Sequence, residues 1–149
     1  MTSAVLNRSE IAALIPHDGR MCLLDRVVDW QDEIIHCIAV SHRDADNPMR
    51  LDGRLGAVVG IEYAAQAMAI HGALRARRES AAKKGYLTRV QQVQMHVETL
   101  DDCAEPLFIE ARLLIGNHQI VRYAFSVTGG DRLLLAGQAT VMLDAAILG

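Results

Sequence analysis

Apolar and polar positions change rhythm along the chain, and each change marks an element. Near the start, Ile11, Leu14 and Ile15 recur at helical spacing behind Ser9, which predicts a short helix capped by Ser9 and stopped near Pro16. Met21 to Trp30, MCLLDRVVDW, is apolar and rich in β-formers and predicts a strand. Ile34 to Val40, IIHCIAV, predicts the next, with Asp32–Glu33 in the turn between them. SHRDADNPMRLDGR then brings Asn-Pro and Asp-Gly steps and predicts a loop. From Leu55 to Arg78 the chain is dense in Ala, Met, Ile and Leu without a proline, and a long helix is expected. Val58, Ile61, Ala65, Met68, Ala69 and Leu74 include one stripe, but Val59, Ala67 and Ile70 fall outside it, so this helix should be buried nearly all round. Alternation returns after Gly85. Strands are expected through Val90–Val97, Leu107–Leu114, Ile120–Val127 and Leu133–Leu143, with hairpin turns at Gly116-Asn117 and Gly129-Gly130.

The order is short helix, two strands, long helix, four strands. A lone buried helix among antiparallel strands predicts an α+β domain whose sheet wraps the helix, with an outer face or edge that seeks a partner copy. The 149 residues suit one domain, residues 1–149, and no repeat, low-complexity tract or linker interrupts them.

Composition narrows the function. Apolar residues make up 51% of the chain and the net charge is -3, which suits a globular protein and argues against a nucleic-acid surface. Arg75, Arg77 and Arg78 form the one basic cluster, at the expected helix end, where cations suit the helix dipole. No apolar run is read as a membrane span and no signal-peptide pattern opens the sequence. Cys22, Cys37 and Cys103 show no metal spacing, and reduced thiols in a cytoplasmic protein are expected.

The candidate chemistry centres on Glu62. It stands in GAVVGIEYAAQAMAIHG, among apolar neighbours, in the early part of the long helix. Burial there would disfavour its charged form and poise it as a general acid or base, with Gln66 one turn on as a hydrogen-bond partner. The alternative is a structural carboxylate tied to Arg54 or Tyr63. Of the six histidines, His17 and His42 rank first, because both lie in irregular segments flanking strands. No histidine pair has a credible third ligand, so no metal is expected, and no cofactor. A phosphate loop, a G-x-S-x-G elbow and a C-x-x-C pair are all missing.

Two stretches carry a resemblance. LIPHDGRMCLLDRVVDW resembles the opening segment, roughly L-x-P-H-x-x-P-x-L-L-x-D-R-V, of FabZ-type 3-hydroxyacyl-ACP dehydratases, and GRLGAVVGIEYAAQAMAIHGAL resembles their central-helix segment, P-G-x-L-x-x-E-A-x-A-Q. The spacing between the two and the four following strands agree, so the likeness covers most of the chain. It implies a hotdog fold and a homodimer or dimer of dimers with the acyl site at the subunit interface. The implied substrate is a thioester of acyl carrier protein or CoA. In that family a histidine from the loop before the helix, contributed by the other subunit, removes the α-proton. The helix carboxylic acid helps the hydroxyl leave, and helix N-terminal amides polarise the carbonyl. Glu62 and Gln66 match the family positions.

The histidine does not match. Its region here reads DNPMRLDGRLGAV, and the Pro-Gly of the helix entrance is replaced by Gly56-Ala57. The resemblance therefore points to the divergent dehydratase-like subgroup of polyketide and aryl-polyene pathways, which lacks this histidine. It makes Glu62 the expected acid, His42 or His17 a relocated base, and Gln66, Gly56, Ala57 and Gly60 the residues lining the acyl site. Three functions stay open. The protein is a dehydratase, a hotdog thioesterase, or a non-catalytic acyl-binding subunit in a mixed dimer with an active paralogue.

Overall fold

A computed structural model describes residues 5–15, 21–78, 85–117 and 119–143. In chain order the elements are α1 (Arg8–Leu14), β1 (Arg26–Gln31), β2 (Ile34–Ala39), a 3-10 turn (Ser41–Arg43), a second 3-10 turn (Ala57–Val59), α2 (Gly60–Arg78), β3 (Gly85–Met95), β4 (Leu107–Gly116), β5 (Ile120–Gly129) and β6 (Arg132–Leu143). The strands form one antiparallel sheet in the order β1-β2-β4-β5-β6-β3. The sheet covers α2, which is the α+β arrangement expected.

Alternation places the core. Ile35, Cys37 and Ala39 of β2, Leu107, Ile109 and Ala111 of β4, and Val121, Tyr123, Phe125 and Val127 of β5 turn inward, against Tyr63, Ala64, Ala67, Ile70 and Leu74 of α2. Cys22 and Cys37 pack into this core, as expected of thiols in apolar stretches.

Three sequence expectations need correction. The short helix is capped by Asn7 rather than Ser9. Asn7 Oδ1 accepts from the Glu10 amide while Glu10 returns a bond to the Asn7 amide, a full capping box, and the Ser9 hydroxyl donates to Asn7 Oδ1. Pro16, the expected stop, lies outside the described residues.

The first strand begins at Arg26, not Met21. Residues 21–24 run beside the core, but their backbone groups are taken by side chains instead of a ladder. Arg8 donates to Cys22 O (2.8 Å) and Leu24 O (3.3 Å), Ser41 Oγ to Leu23 O (2.7 Å), and the Gln66 amide takes both Met21 O and the Leu23 N–H. An extended segment satisfied in this way has no need of a neighbouring strand.

The long helix is not buried all round. Tyr63, Ala64, Gln66, Ala67, Ile70 and His71 are buried, but Val58 is 56% exposed, Ala69 is exposed, and Ile61, Glu62 and Ala65 are half-buried. Positions 58, 62, 65 and 69 share one face. That strip is open in this chain, and β3 is the sheet edge on the far side of β6, without a further strand among the described residues. Ala57–Arg77 also proves long and apolar enough to cross a membrane by length and composition, which the sequence reading did not expect. More than half of it is buried as the core helix of this domain.

Candidate active site

The site is built on the entrance to α2. Gly56 ends the preceding segment in extended geometry, the Ala57 N–H donates to Glu98 O (2.9 Å), and Gly60 opens the helix. A Cβ at Gly60 would lie 2.5 Å from Leu135 Cδ2, so glycine is what lets this end of the helix approach β6. Glu62 follows in the first turn, where a negative charge suits the helix dipole. Its Oε2 accepts from Gln66 Nε2 at 3.3 Å, the i,i+4 pairing expected.

Glu62 is half-buried on the open strip, not sunk in the core as the apolar run suggested. The two alternative anchors are engaged elsewhere. Arg54 pairs with Asp101 (2.8 Å) and Asp102 (2.9 Å) and reaches Thr99 (3.0 Å). The Tyr63 hydroxyl meets Ser41 Oγ (2.8 Å) and Asn47 Nδ2 (3.2 Å). These bonds also shape the loop before the helix. Asn47 and Arg50 fasten it, and Leu51 and Arg54 exchange backbone bonds around Asp52 (φ 52°) and Gly53 (φ 78°), leaving Leu51 exposed at the tip.

The structure does not draw His42 to Glu62. Its ring is buried, and Nε2–H donates to Cys103 O (3.1 Å) and Glu105 O (3.0 Å), while Nδ1 has no partner among the described residues. Burial pushes its pKa down, against the partial opposition of those two carbonyls. His17 lies outside the described residues. Gln66 is placed one turn from Glu62, and Gly56, Ala57 and Gly60 at the helix entrance. A cleft of about 670 Å³, lined by Arg54, Thr99, Asp102, Cys103, Glu105 and Arg132 among others, opens between the segment after β3 and the β5–β6 turn, and Glu62 does not line it. Among the described residues no group of three or more His, Cys, Asp or Glu is arranged to hold a metal.

Two polar clusters escaped the sequence reading. His71 is buried beneath the sheet, where the Tyr123 hydroxyl donates to Nδ1 (2.7 Å) and Nε2–H donates to Gln31 O (2.8 Å), and burial lowers its pKa. On the outer sheet face His36 lies between Asp29 (2.6 Å) and Glu110 (2.9 Å) and stacks on Phe108. Burial alone would depress the His36 pKa, but the two carboxylates outweigh it and raise it. Two carboxylates facing both ring nitrogens favour the imidazolium, the form that offers an N–H to each. The cross-strand pair His36–Glu110 had its signal in the alternation of β2 and β4; nothing local announced the Tyr123–His71 bond.

The family model for ApeP-like proteins, described as ApeP dehydratase, matches residues 9–147. The chain belongs to the ApeP-like dehydratase family. This ApeP-like chain is similar in structure to a chain of the dehydratase heterocomplex ApeI:P from Xenorhabdus doucetiae, with TM-score 0.79 and 22% identity over 93% of this chain and 95% of that one. It is also similar to a mutant thioesterase from Pseudomonas aeruginosa (TM-score 0.67, 12% identity, 95% and 96% covered) and to a thioesterase from Haemophilus influenzae (TM-score 0.67, 11% identity, 97% and 94% covered). At these identities the likeness shows the hotdog fold of the ApeP-like chain. No curated protein sequence matches it.

Proposed function

We propose that the protein is a dehydratase-like subunit acting on 3-hydroxyacyl thioesters, with Glu62 as its acid. The observation that carries this reading is the position of Glu62, a carboxyl group on the open strip of the core helix, held by Gln66 among otherwise apolar residues. In the reaction a base removes the α-proton, the C2–C3 double bond forms, and the carboxylic acid donates a proton to the departing hydroxyl, which leaves as water. The thioester stays intact. His42 is an unsuitable base within one chain, because Nδ1, the nitrogen left with a free lone pair once Nε2–H donates to two carbonyls, is buried out of reach of a substrate. We therefore assign the base to a paralogous hotdog subunit in a mixed dimer, a reading supported by a fold neighbour described as a dehydratase heterocomplex. The open strip and the free edge of β3 are the surfaces such a partner would cover; a homodimer or dimer of dimers would use the same ones. The acyl group would arrive on acyl carrier protein or CoA, in fatty-acid or polyketide-type biosynthesis in the cytoplasm.

The thioesterase reading is supported by the thioesterases among the fold neighbours. The purified chain, alone and mixed with its paralogue, is given a 3-hydroxyacyl thioester while enoyl product and free thiol are followed together. Enoyl product without thiol, abolished by Glu62→Gln in a protein that still assembles, is the expected result. Thiol release would move the case to a thioesterase. Unchanged dehydration in Glu62→Gln would remove Glu62 from the chemistry.

A further inference from the structure

On the outer face of the sheet, away from Glu62, three cations stand close together. Arg122 of β5 and Arg89 of β3 both pair with Thr140 of β6, so they flank it about 10 Å apart. Arg112 of β4 pairs with Ala124, which sets it diagonal to Arg122 at roughly 7–8 Å. All three side chains are exposed, and none forms an ion pair among the described residues. Asp29 and Glu110, which share this face, are turned to His36. Even with Glu33, whose carbonyl accepts from the Leu113 N–H, the patch is positive.

Exposed apolar side chains lie at the same end of the sheet. Ile115 is 65% exposed and pairs with Arg122, Leu114 lies in the bulge before it, and Ile120 and Met142 pair in the next row. Like charges on neighbouring strands repel, and the apolar side chains stand in water, so neither half of the patch stabilises this chain.

We propose that this face adsorbs to an anionic lipid bilayer, with the arginines at the headgroup phosphates and Ile115, Ile120 and Met142 at the edge of the hydrocarbon. A bilayer offers anions and hydrocarbon on one surface and accepts a flat sheet face, whereas a partner helix needs a groove. A second copy fits poorly, because a two-fold axis through the patch sets arginine against arginine. The contact is adsorption at the surface rather than passage through the bilayer. Since α2 packs on the opposite face of the sheet, Glu62 stays clear of the lipid.

The test is sedimentation of the full chain with vesicles of phosphatidylglycerol and phosphatidylcholine in equal parts, against vesicles of phosphatidylcholine alone. Binding is expected to the anionic vesicles only, and it should weaken as salt rises from about 0.05 to 0.5 M. An arginine at an anionic surface strengthens partitioning roughly fivefold, so Arg112→Ser and Arg122→Ser together should weaken it roughly 25-fold. Ile115→Ser should weaken it roughly 10-fold. Arg122→Gln alone, with an expected loss of roughly fivefold, serves if the double variant does not fold. Absence of binding to anionic vesicles would overturn the proposal, and polyglutamate binding in that case would give the face to an acidic protein. Binding that the folded variants retain in full would overturn it too. So would a smaller assembly of the folded variants by light scattering, which would make a second copy the occupant.

Discussion

Gly60 tests whether packing or substrate contact explains the helix entrance. A Cβ added there would sit 2.5, 2.8 and 3.1 Å from Leu135 Cδ2, Cδ1 and Cγ. Carbon atoms pack at about 3.5–4.0 Å, so the deficit is close to 1 Å on both branches. Turning the Leu135 methyls cannot clear it, because Cγ is also too close. Leu135 is fully buried, so a shift would have to be made inside the packed core. Forcing extra volume into a filled core costs about 1–3 kcal/mol. Alanine returns up to about 1 kcal/mol of helix propensity, and less than that at the first helical residue. The expected net loss for Gly60→Ala is therefore roughly 1–2 kcal/mol, a fall in Tm of about 2–8 °C for a domain of this size. Thermal and urea unfolding of Gly60→Ala, Leu135→Ala and the double variant would measure it. In the Leu135→Ala background the new methyl enters space already vacated, so the Gly60→Ala penalty should vanish or reverse. An unchanged or raised Tm for Gly60→Ala, or simple additivity with Leu135→Ala, would refute the argument. Lost turnover at unchanged stability would return Gly60 to the acyl site.

Two further predictions concern buried groups. His42 and His71 are both held below the ordinary value of 6.5 by burial, so as pH falls below about 6.5 the unfolded chain takes up protons before the folded one. Stability should be full above that pH and should decline toward the folded pKa values, by at most about 1.4 kcal/mol per pH unit for each histidine. His36, raised, acts in the opposite window: its contribution is full below about 6.5 and is lost as pH rises through its folded value. Urea midpoints between pH 7 and 5 would show the acid decline, and a flat profile would sink it. For the thiols, burial, followed by the charge of Asp29, pushes Cys37 up to about 12, while Cys103 is half-exposed. Native alkylation read by mass spectrometry should therefore modify Cys103 first and Cys37 only on unfolding; equal rates would contradict the packing.

The legible parts of the fold are those whose residues act on near neighbours. The period-2 alternation of β4, β5 and β6 and the apolar density of α2 placed these elements to within a few residues. The Glu62–Gln66 pair was readable because i,i+4 geometry depends on the helix alone. What could not be read depends on distant partners. Met21–Asp25 looks like a strand by composition, but side chains far away in sequence take its backbone groups. Asn7 and Ser9 are both good caps, and Glu10, three residues beyond Asn7, was the signal that decides between them. The half-exposure of Glu62 was hidden for a different reason. Its neighbours along the chain are apolar because they face the sheet or the open strip, and apolar composition alone does not separate the two.

The side-chain anchoring of residues 21–24 also bears on the order of folding. Its bonds to Gln66 span 43 and 45 residues, that to Ser41 spans 18, and those to Arg8 span 14 and 16. None of them can form until α1, β2 and α2 already stand near their final places. The segment is then expected to join late, with φ-values near zero for substitutions at its anchors. Weakening its anchors should then hasten unfolding while leaving the folding rate almost untouched. The Gln66 amide, which takes both Met21 O and the Leu23 N–H, would in this way also help set how long the native state persists.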